Sequence, residues 1–308
     1  MTRKSRLRVA IVGLIALILA LLLFAERGRP LLPSSWRYVR TAGWRRLFSH
    51  HSLHGYLYGR WTNQYIAFLK RYVYPCLGIR GRRWLSDRYH AKVLTTPQAR
   101  AIVALDREIP LRDLEQVIPY AQARDLVLSA SPAIAAYECA CRRASANPCH
   151  PTQVCLAIGD FFADFILEHH PHSSRRLTQA EALALLEAEH SRGHLHTAWF
   201  KDACLGRFYA ICNCCRCCCT GIEAVVKHGI PMLAPSGYVA QVDESRCRGC
   251  RACLVACPFG AISNESIARV SWEKCMGCGV CSSQCPYEAI TLGKDESKGL
   301  PLHVRLLT

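Results

Sequence analysis

The sequence predicts an α+β chain in three parts: an N-terminal transmembrane helix, a helical Cys-rich middle domain and a small C-terminal α+β domain. Three observations carry that expectation. Residues 9–25 hold no charge, 19 of the 20 cysteines lie after residue 138, and one cysteine spacing occurs twice near the C-terminus. The expected boundaries are 1–95 for a basic membrane-anchor segment, 96–235 for the middle domain and 236–308 for the C-terminal domain. A chain of 308 residues has the length for two or three domains.

The front segment comes first. Residues 9–25 read VAIVGLIALILALLLFA, and as a helix at about 1.5 Å per residue they span about 25 Å. That is near the lower limit for crossing a bilayer core, with Arg8 and Arg27 able to reach the polar boundaries. A cleaved signal peptide is the competing reading, since Arg3, Lys4, Arg6 and Arg8 form a basic lead. Leu23-Phe24-Ala25 lacks the small residue that cleavage requires two positions earlier, which favours a retained anchor. Residues 1–100 carry 19 Lys/Arg against Glu26 and Asp87, whereas residues 101–308 carry 20 against 21 Asp/Glu. The net charge of +16 therefore belongs to the front. Beside an anchor it points to acidic lipid rather than to nucleic acid. More basic residues follow the apolar run than precede it, so a single-pass membrane protein with its remainder in the cytoplasm is expected. The basic lead contains no Arg-Arg pair, which argues against twin-arginine export of a loaded metalloprotein.

Leu57, Trp61, Tyr65, Phe68 and Tyr72 recur at helical spacing, and seven of the nineteen residues from Tyr56 to Tyr74 are aromatic. Lys70, Arg71, Arg80, Arg82 and Arg83 accompany them. Two readings stay open: a helix in the membrane interface, or a helix packed on the rest of the protein. His50, His51 and His54 read as solvated loop.

In the middle, Thr96-Pro97 opens a helix expected to run through Asp106. Residues 111–117 and 119–129 read as short helices. Thr178-Gln-Ala-Glu181 is a capping box for a helix running to His190 or Arg192, stopped by Gly193. Residues 221–227 read as a short helix ending near Gly229. Among these lie two cysteine groups. One is Cys139, Cys141, Cys149 and Cys155; the other is Cys212, Cys214, Cys215, Cys217, Cys218 and Cys219. Crowded thiolates repel unless protons or metals neutralise them, and soft thiolate sets select iron–sulfur clusters, zinc or Cu(I). Disulfides between adjacent cysteines are strained. The first group supplies one ligand set, and the second supplies another or completes the first. One or two additional Fe–S clusters are expected here, with zinc or a redox-active thiol site as alternatives. His194 and His196 flank the region as further ligand candidates, while His190 reads as structural. Cys76 and Cys204 fit no frame and read as buried thiols.

The C-terminal signal is sharper. Cys247-Arg-Gly-Cys250-Arg-Ala-Cys253-Leu-Val-Ala-Cys257-Pro258 and Cys275-Met-Gly-Cys278-Gly-Val-Cys281-Ser-Ser-Gln-Cys285-Pro286 share one frame, C-x2-C-x2-C-x3-C-P. Bacterial-type ferredoxins hold a cubane iron–sulfur cluster with this spacing. The flanks repeat too: Cys257-Pro-Phe-Gly-Ala-Ile262 matches Cys285-Pro-Tyr-Glu-Ala-Ile290, an internal duplication. Gly249, Gly277 and Gly279 relieve the steric limits of such tight loops, and Pro258 and Pro286 fix the chain as it leaves. Structural zinc more often uses two C-x2-C pairs separated by a longer loop. Disulfides would call for an oxidising compartment.

Residues 237–295 resemble the two-cluster ferredoxin domain, a ferredoxin-like α+β unit with two [4Fe-4S] clusters. In that family the fourth cysteine of each run ligates the other cluster. The resemblance therefore implies Cys247, Cys250, Cys253 and Cys285 for cluster I, and Cys275, Cys278, Cys281 and Cys257 for cluster II. A wider resemblance covers residues 110–295. Val117-Ile-Pro-Tyr-Ala-Gln-Ala, Cys139-Ala-Cys141-Arg142, Cys149, Cys155-Leu, Gly193-His-Leu-His196-Thr and Ile211-Cys-Asn-Cys-Cys-Arg-Cys-Cys-Cys219 are similar to bacterial 4Fe-4S binding proteins that carry this module ahead of a two-cluster domain. It implies cluster binding and no particular reaction.

The expected function is electron transport through these clusters to and from redox partner proteins, on a membrane. No catalytic triad or phosphate loop is evident. The alternatives are an oxidoreductase, or a subunit of one, with a substrate site at residues 212–219, and a metal-handling protein.

Overall fold

The structure is a computed structural model that describes residues 3–29, 31–42, 50–105, 109–111, 126–128, 133–201, 204 and 207–302. The chain begins with α1 (Arg3–Ala25), α2 (Pro33–Ala42), α3 (His50–Arg60), α4 (Thr62–Phe68), α5 (Ile79–Arg88), β1 (Tyr89–Leu94) and α6 (Thr96–Val103). It continues with β2 (Ile109–Leu111), β3 (Leu126–Leu128), β4 (Ile134–Glu138), α7 (Ala140–Arg143), β5 (Gln153–Ile158), α8 (Asp160–His169), β6 (Ser174–Leu177) and α9 (Gln179–Ser191). β7 (Leu195–Lys201), β8 (Arg207–Cys214), α10 (Thr220–Val226) and β9 (Leu233–Ala234) complete the central part. The C-terminal part holds β10 (Tyr238–Val242), α11 (Ala252–Ala256), β11 (Ile262–Asn264), β12 (Ala268–Val270), α12 (Val280–Ser283) and β13 (Ile290–Lys294).

The expected fold class needs correction at its centre. The middle of the chain is not a helical domain but a mixed α/β structure on a seven-stranded sheet, ordered β6-β4-β5-β8-β7-β1-β9. All neighbours are antiparallel except β1 and β9. The physical reason lies in burial. β1 and β7 are buried at every residue, and β4 and β5 at all but one. A strand covered on both faces has no polar alternation, so its apolar run is indistinguishable by period from a buried helix. The two faces still sort by parity. Ala136, Leu156, Ile158, Ala198, Phe200 and Ile211 face Ile102 of α6 and Leu186 of α9. Ala135, Tyr137, Cys155, Ala157, Trp199 and Cys214 face the other way, toward Tyr58, Ile66, Phe162 and Ile166.

The N-terminal expectation is also corrected. No helix among the described residues is long and apolar enough to cross a membrane, so the transmembrane helix and the single-pass placement are withdrawn. The charge-free run is 17 residues, against about 20 for a full span, and its end is built into the protein. Ala25 is buried, and its carbonyl accepts a 2.6 Å hydrogen bond from Arg60 Nε. Buried Glu26 follows directly and accepts from Leu32 N (2.6 Å), Ser35 Oγ (2.9 Å) and Tyr56 Oη (2.5 Å).

The aromatic segment packs on the protein. α4 widens into a π-helical turn over Leu69–Val73 and then tightens into a 3₁₀ turn over Tyr74–Cys76. Tyr58, Ile66, Leu69 and Tyr74 are buried in the core, while Leu57, Phe68 and Tyr72 are exposed. His50, His51 and His54 lie in helix α3 rather than in a loop, and His54 Nε2 is 2.8 Å from Tyr65 Oη.

Local signals fare unevenly. Thr178 and Glu181 form the expected capping box, with Thr178 N donating to Glu181 Oε2 at 2.8 Å, and Gly193 stops the chain at φ +77°. The cap of α6 is Thr95, one residue before the expected Thr96, with Thr95 N donating to Gln98 Oε1 at 2.8 Å. That helix ends at Val103. Of the two short helices expected after it, Leu111 and residues 126–128 lie instead in the antiparallel pair β2–β3. Residues 112–125 and 129 lie outside the described residues. Cys204 is buried as expected, but Cys76 is exposed.

The two-sided core gives a direct test. Leu156→Ala, in the middle of the sheet at 0% exposure, is expected to cost about 2–5 kcal/mol in urea unfolding. Leu57→Ala, on the exposed face, is expected to stay within about 0.5 kcal/mol.

Candidate metal centres

The C-terminal cysteines surround two cavities. Cys275, Cys278 and Cys281 share the wall of one with Cys257; Cys247, Cys250 and Cys253 share the other with Cys285. Each wall thus contains a fourth thiol from the opposite run. The loops demand glycine. Gly249 and Gly277 sit at φ +60° and +63°, and a Cβ there would lie 2.2 Å from Ser266 O and 2.1 Å from Tyr238 O. Backbone N–H groups point at sulfur: Ala261 N to Cys257 Sγ (3.3 Å), Ala289 N to Cys285 Sγ (3.4 Å) and Ala268 N to Cys247 Sγ (3.5 Å). The first two bonds are related by the 28-residue repeat. Burial pushes Cys278 up to about 12 and raises Cys281 as well. Such thiols become thiolates only when a cation replaces the proton, and N–H···S bonds then stabilise the charge.

Residues 240–292 match the family model of the 4Fe-4S dicluster domain. No curated protein and no solved structure matches the chain. The dicluster match and the cysteine walls make this an iron–sulfur protein with at least one cluster. In the dicluster domain α11 and α12 each carry one wall cysteine, Cys253 and Cys281. β10 and β13 clamp its ends together.

The middle region regroups its ten cysteines. Cys149, Cys215, Cys217 and Cys218 bring their sulfurs within 4.8 Å of one another, with Cys149 Sγ and Cys217 Sγ at 2.8 Å. Cys149 thus joins thiols some 66 residues downstream rather than the nearer Cys139, Cys141 and Cys155. Burial and the neighbouring Cys217 thiol push Cys149 up to about 11. Cys218 is lowered: burial opposes this, but hydrogen bonds from Cys149 N–H and neighbouring side chains prevail. The remaining Cys139, Cys141, Cys155, Cys212, Cys214 and Cys219 line a cavity on one face of the sheet, which Cys215 of the four-thiol group also borders. Cys212 and Cys214 alternate with Asn213 along β8, which turns both thiols to the same side.

Arg142 is the residue the cysteine pattern does not reveal. Its side chain is fully buried. Nη2 donates to Glu189 Oε2 at 2.6 Å and to Asn213 O at 3.3 Å, and Nη1 donates to Pro151 O. Glu189, buried at 1% exposure, also contacts His194 Nδ1 at 2.7 Å and accepts from Arg192 Nη1 at 2.9 Å. Burial alone would raise its carboxyl, but the hydrogen bonds from His194 and Arg142 hold it below the usual carboxylate range. The two candidate histidines have other partners. His194 belongs to this ion-pair group, and His196 Nδ1 donates to Asn213 Oδ1 at 2.6 Å. Burial lowers His196 to about 4. His190 Nδ1 pairs with Thr96 Oγ1 at 2.8 Å. Only the Cys-Arg adjacency at 141–142 hints at the ion pair; nothing in the local pattern singles out Glu189.

Three outcomes follow from these arrangements. Glu189→Ala strands a buried guanidinium and is expected to cost about 3–5 kcal/mol in chemical denaturation. His196 has an ordinary value of 6.5 and a folded value near 4, so the unfolded chain binds the extra proton between them. Stability from this group is therefore full above about pH 6.5 and falls as the pH drops toward 4, and His196→Leu should reduce that dependence in pH-dependent melts, buried His169, lowered to about 3, keeping part of it. Gly277→Ala, forced against Tyr238 O at positive φ, is expected to reduce iron bound per chain severalfold by colorimetric iron assay.

Proposed function

We propose that the protein is an electron carrier with two [4Fe-4S] clusters in the dicluster domain and a third, four-thiolate iron centre at Cys149, Cys215, Cys217 and Cys218. The observation that carries this reading is a shared cleft. Cys250 and Arg251 of the dicluster domain line it opposite Cys215, Cys217 and His194. The contact is held by Arg216 Nη1 donating to Val255 O, and by Gln284 Nε2 donating to Ser191 O at 3.3 Å. The repeat and the cavity walls support ligation by Cys247, Cys250, Cys253 and Cys285 at one cluster, and by Cys275, Cys278, Cys281 and Cys257 at the other. Each cluster passes one electron without making or breaking a covalent bond, so the chain supplies position, N–H···S bonds and shielding from water. Arg192, Arg216 and Arg251 border the cleft, which favours a redox partner with an acidic docking face.

A second reading applies to the four-thiol site alone. Tetrahedral zinc at about 2.3 Å from each sulfur sets the sulfurs about 3.8 Å apart, and the observed spread within 4.8 Å is that compact. Anaerobic purification with iron, sulfide and zinc counts separates the two readings. The relay predicts about eight iron and eight sulfide from the dicluster domain, with extra iron lost in Cys217→Ser. It also predicts paired EPR signals on reduction that Cys250→Ser disrupts. One zinc per chain with no such extra iron would reduce the four-thiol site to a structural clip.

A further inference from the structure

We propose that Cys139, Cys141, Cys155, Cys212, Cys214 and Cys219 form a further metal site, a polynuclear iron–sulfide centre buried on the face of the central sheet. It rests on the iron–sulfur reading of the chain, but not on the relay through the four-thiol site. The six thiols arrive from four separate segments: Cys139 and Cys141 around α7, Cys155 on β5, Cys212 and Cys214 on β8, and Cys219 at the start of α10. All six border one cavity; Cys139, Cys155, Cys214 and Cys219 are buried, and Cys141 and Cys212 are half-buried.

Buried cysteine is ordinarily a small hydrophobe, and a single one here would need no comment. Six that converge on one cavity, with Cys215 at its border, bring their polarizable atoms to a shared space. The cavity is also larger than those of the dicluster domain. Its volume is about 40 Å³, against about 20 and 10 Å³ for the two cavities there. A second observation concerns charge. Arg142 lines the same cavity, and its Nε is buried with no hydrogen-bond partner. Glu189 already balances the guanidinium at Nη2, so an unpartnered donor beside these thiols suits an anionic thiolate–sulfide cluster. Metal entry releases one proton from each thiol that ligates, and the cation replaces that charge. The walls beyond sulfur are Tyr58, Tyr74, Tyr89, Tyr137 and Trp199, a large aromatic lining that excludes water from such a centre.

The test uses the full chain produced anaerobically with ⁵⁷Fe. The parent protein should carry more than the about eight iron that two cubanes supply. Cys155→Ser/Cys212→Ser should lose about four or more of these, with the loss seen as a distinct Mössbauer component, while the reduced dicluster EPR signals persist and report an intact fold. Cys217→Ser/Cys218→Ser should remove a different component. An unchanged iron count and Mössbauer spectrum in the folded Cys155→Ser/Cys212→Ser variant would overturn the proposal. If that variant misfolds, the Cys217→Ser/Cys218→Ser variant decides: about eight iron or fewer there, with no other metal bound, also overturns it. Loss in the first pair with none in the second leaves this site standing and sinks the relay through Cys149, Cys215, Cys217 and Cys218.

Discussion

The buried Arg142–Glu189 ion pair ties together the segments that bring the middle cysteines into one place. Arg142 follows Cys141, reaches Pro151 in the loop that bears Cys149, and touches Asn213 between Cys212 and Cys214. Glu189 anchors the group to α9. A desolvated pair of this kind contributes little net energy over an apolar replacement, but removing one partner is costly. Its value here is geometric. One planar guanidinium with several donors fixes three segments at once, which an apolar side chain of the same size would leave free to slide.

How much was legible in the sequence depends on how far apart the cooperating residues lie. In the dicluster domain each run gathers its cysteines within eleven residues, so spacing and glycine placement are enough to suggest the chemistry. In the middle region Cys149 meets Cys215, Cys217 and Cys218 only because the strand order β5-β8-β7 folds the chain back on itself. The strands themselves were hidden by their own burial. QVCLAI in β5 and LHTAWFK in β7 carry no usable alternation, whereas the capping box at Thr178 advertises its helix openly.

The N-terminal error has a different origin. Seventeen apolar residues look alike whether lipid or protein meets their end. What decides the matter is that the helix is not long and apolar enough to cross a membrane; Glu26 then holds its end against α2 and α3 through three hydrogen bonds. Those partners, Leu32, Ser35 and Tyr56, come from later in the chain and give no signal next to the apolar run.

The unequal shielding of the sulfurs has a chemical consequence. Cys217 and Cys250 are exposed at the cleft, Cys149 and Cys247 are partly so, and Cys139, Cys155, Cys214 and Cys219 are buried. Oxygen and peroxide reach thiolates in order of accessibility, converting them stepwise to sulfenic and then irreversible acids. Oxidative damage to the clustered sulfurs, from which exposed Cys76 stands apart, therefore starts at the seam between the sheet and the dicluster domain and moves inward. Of these clusters, the one at the joint is the first that air would break, while the sulfur-lined interior outlasts it.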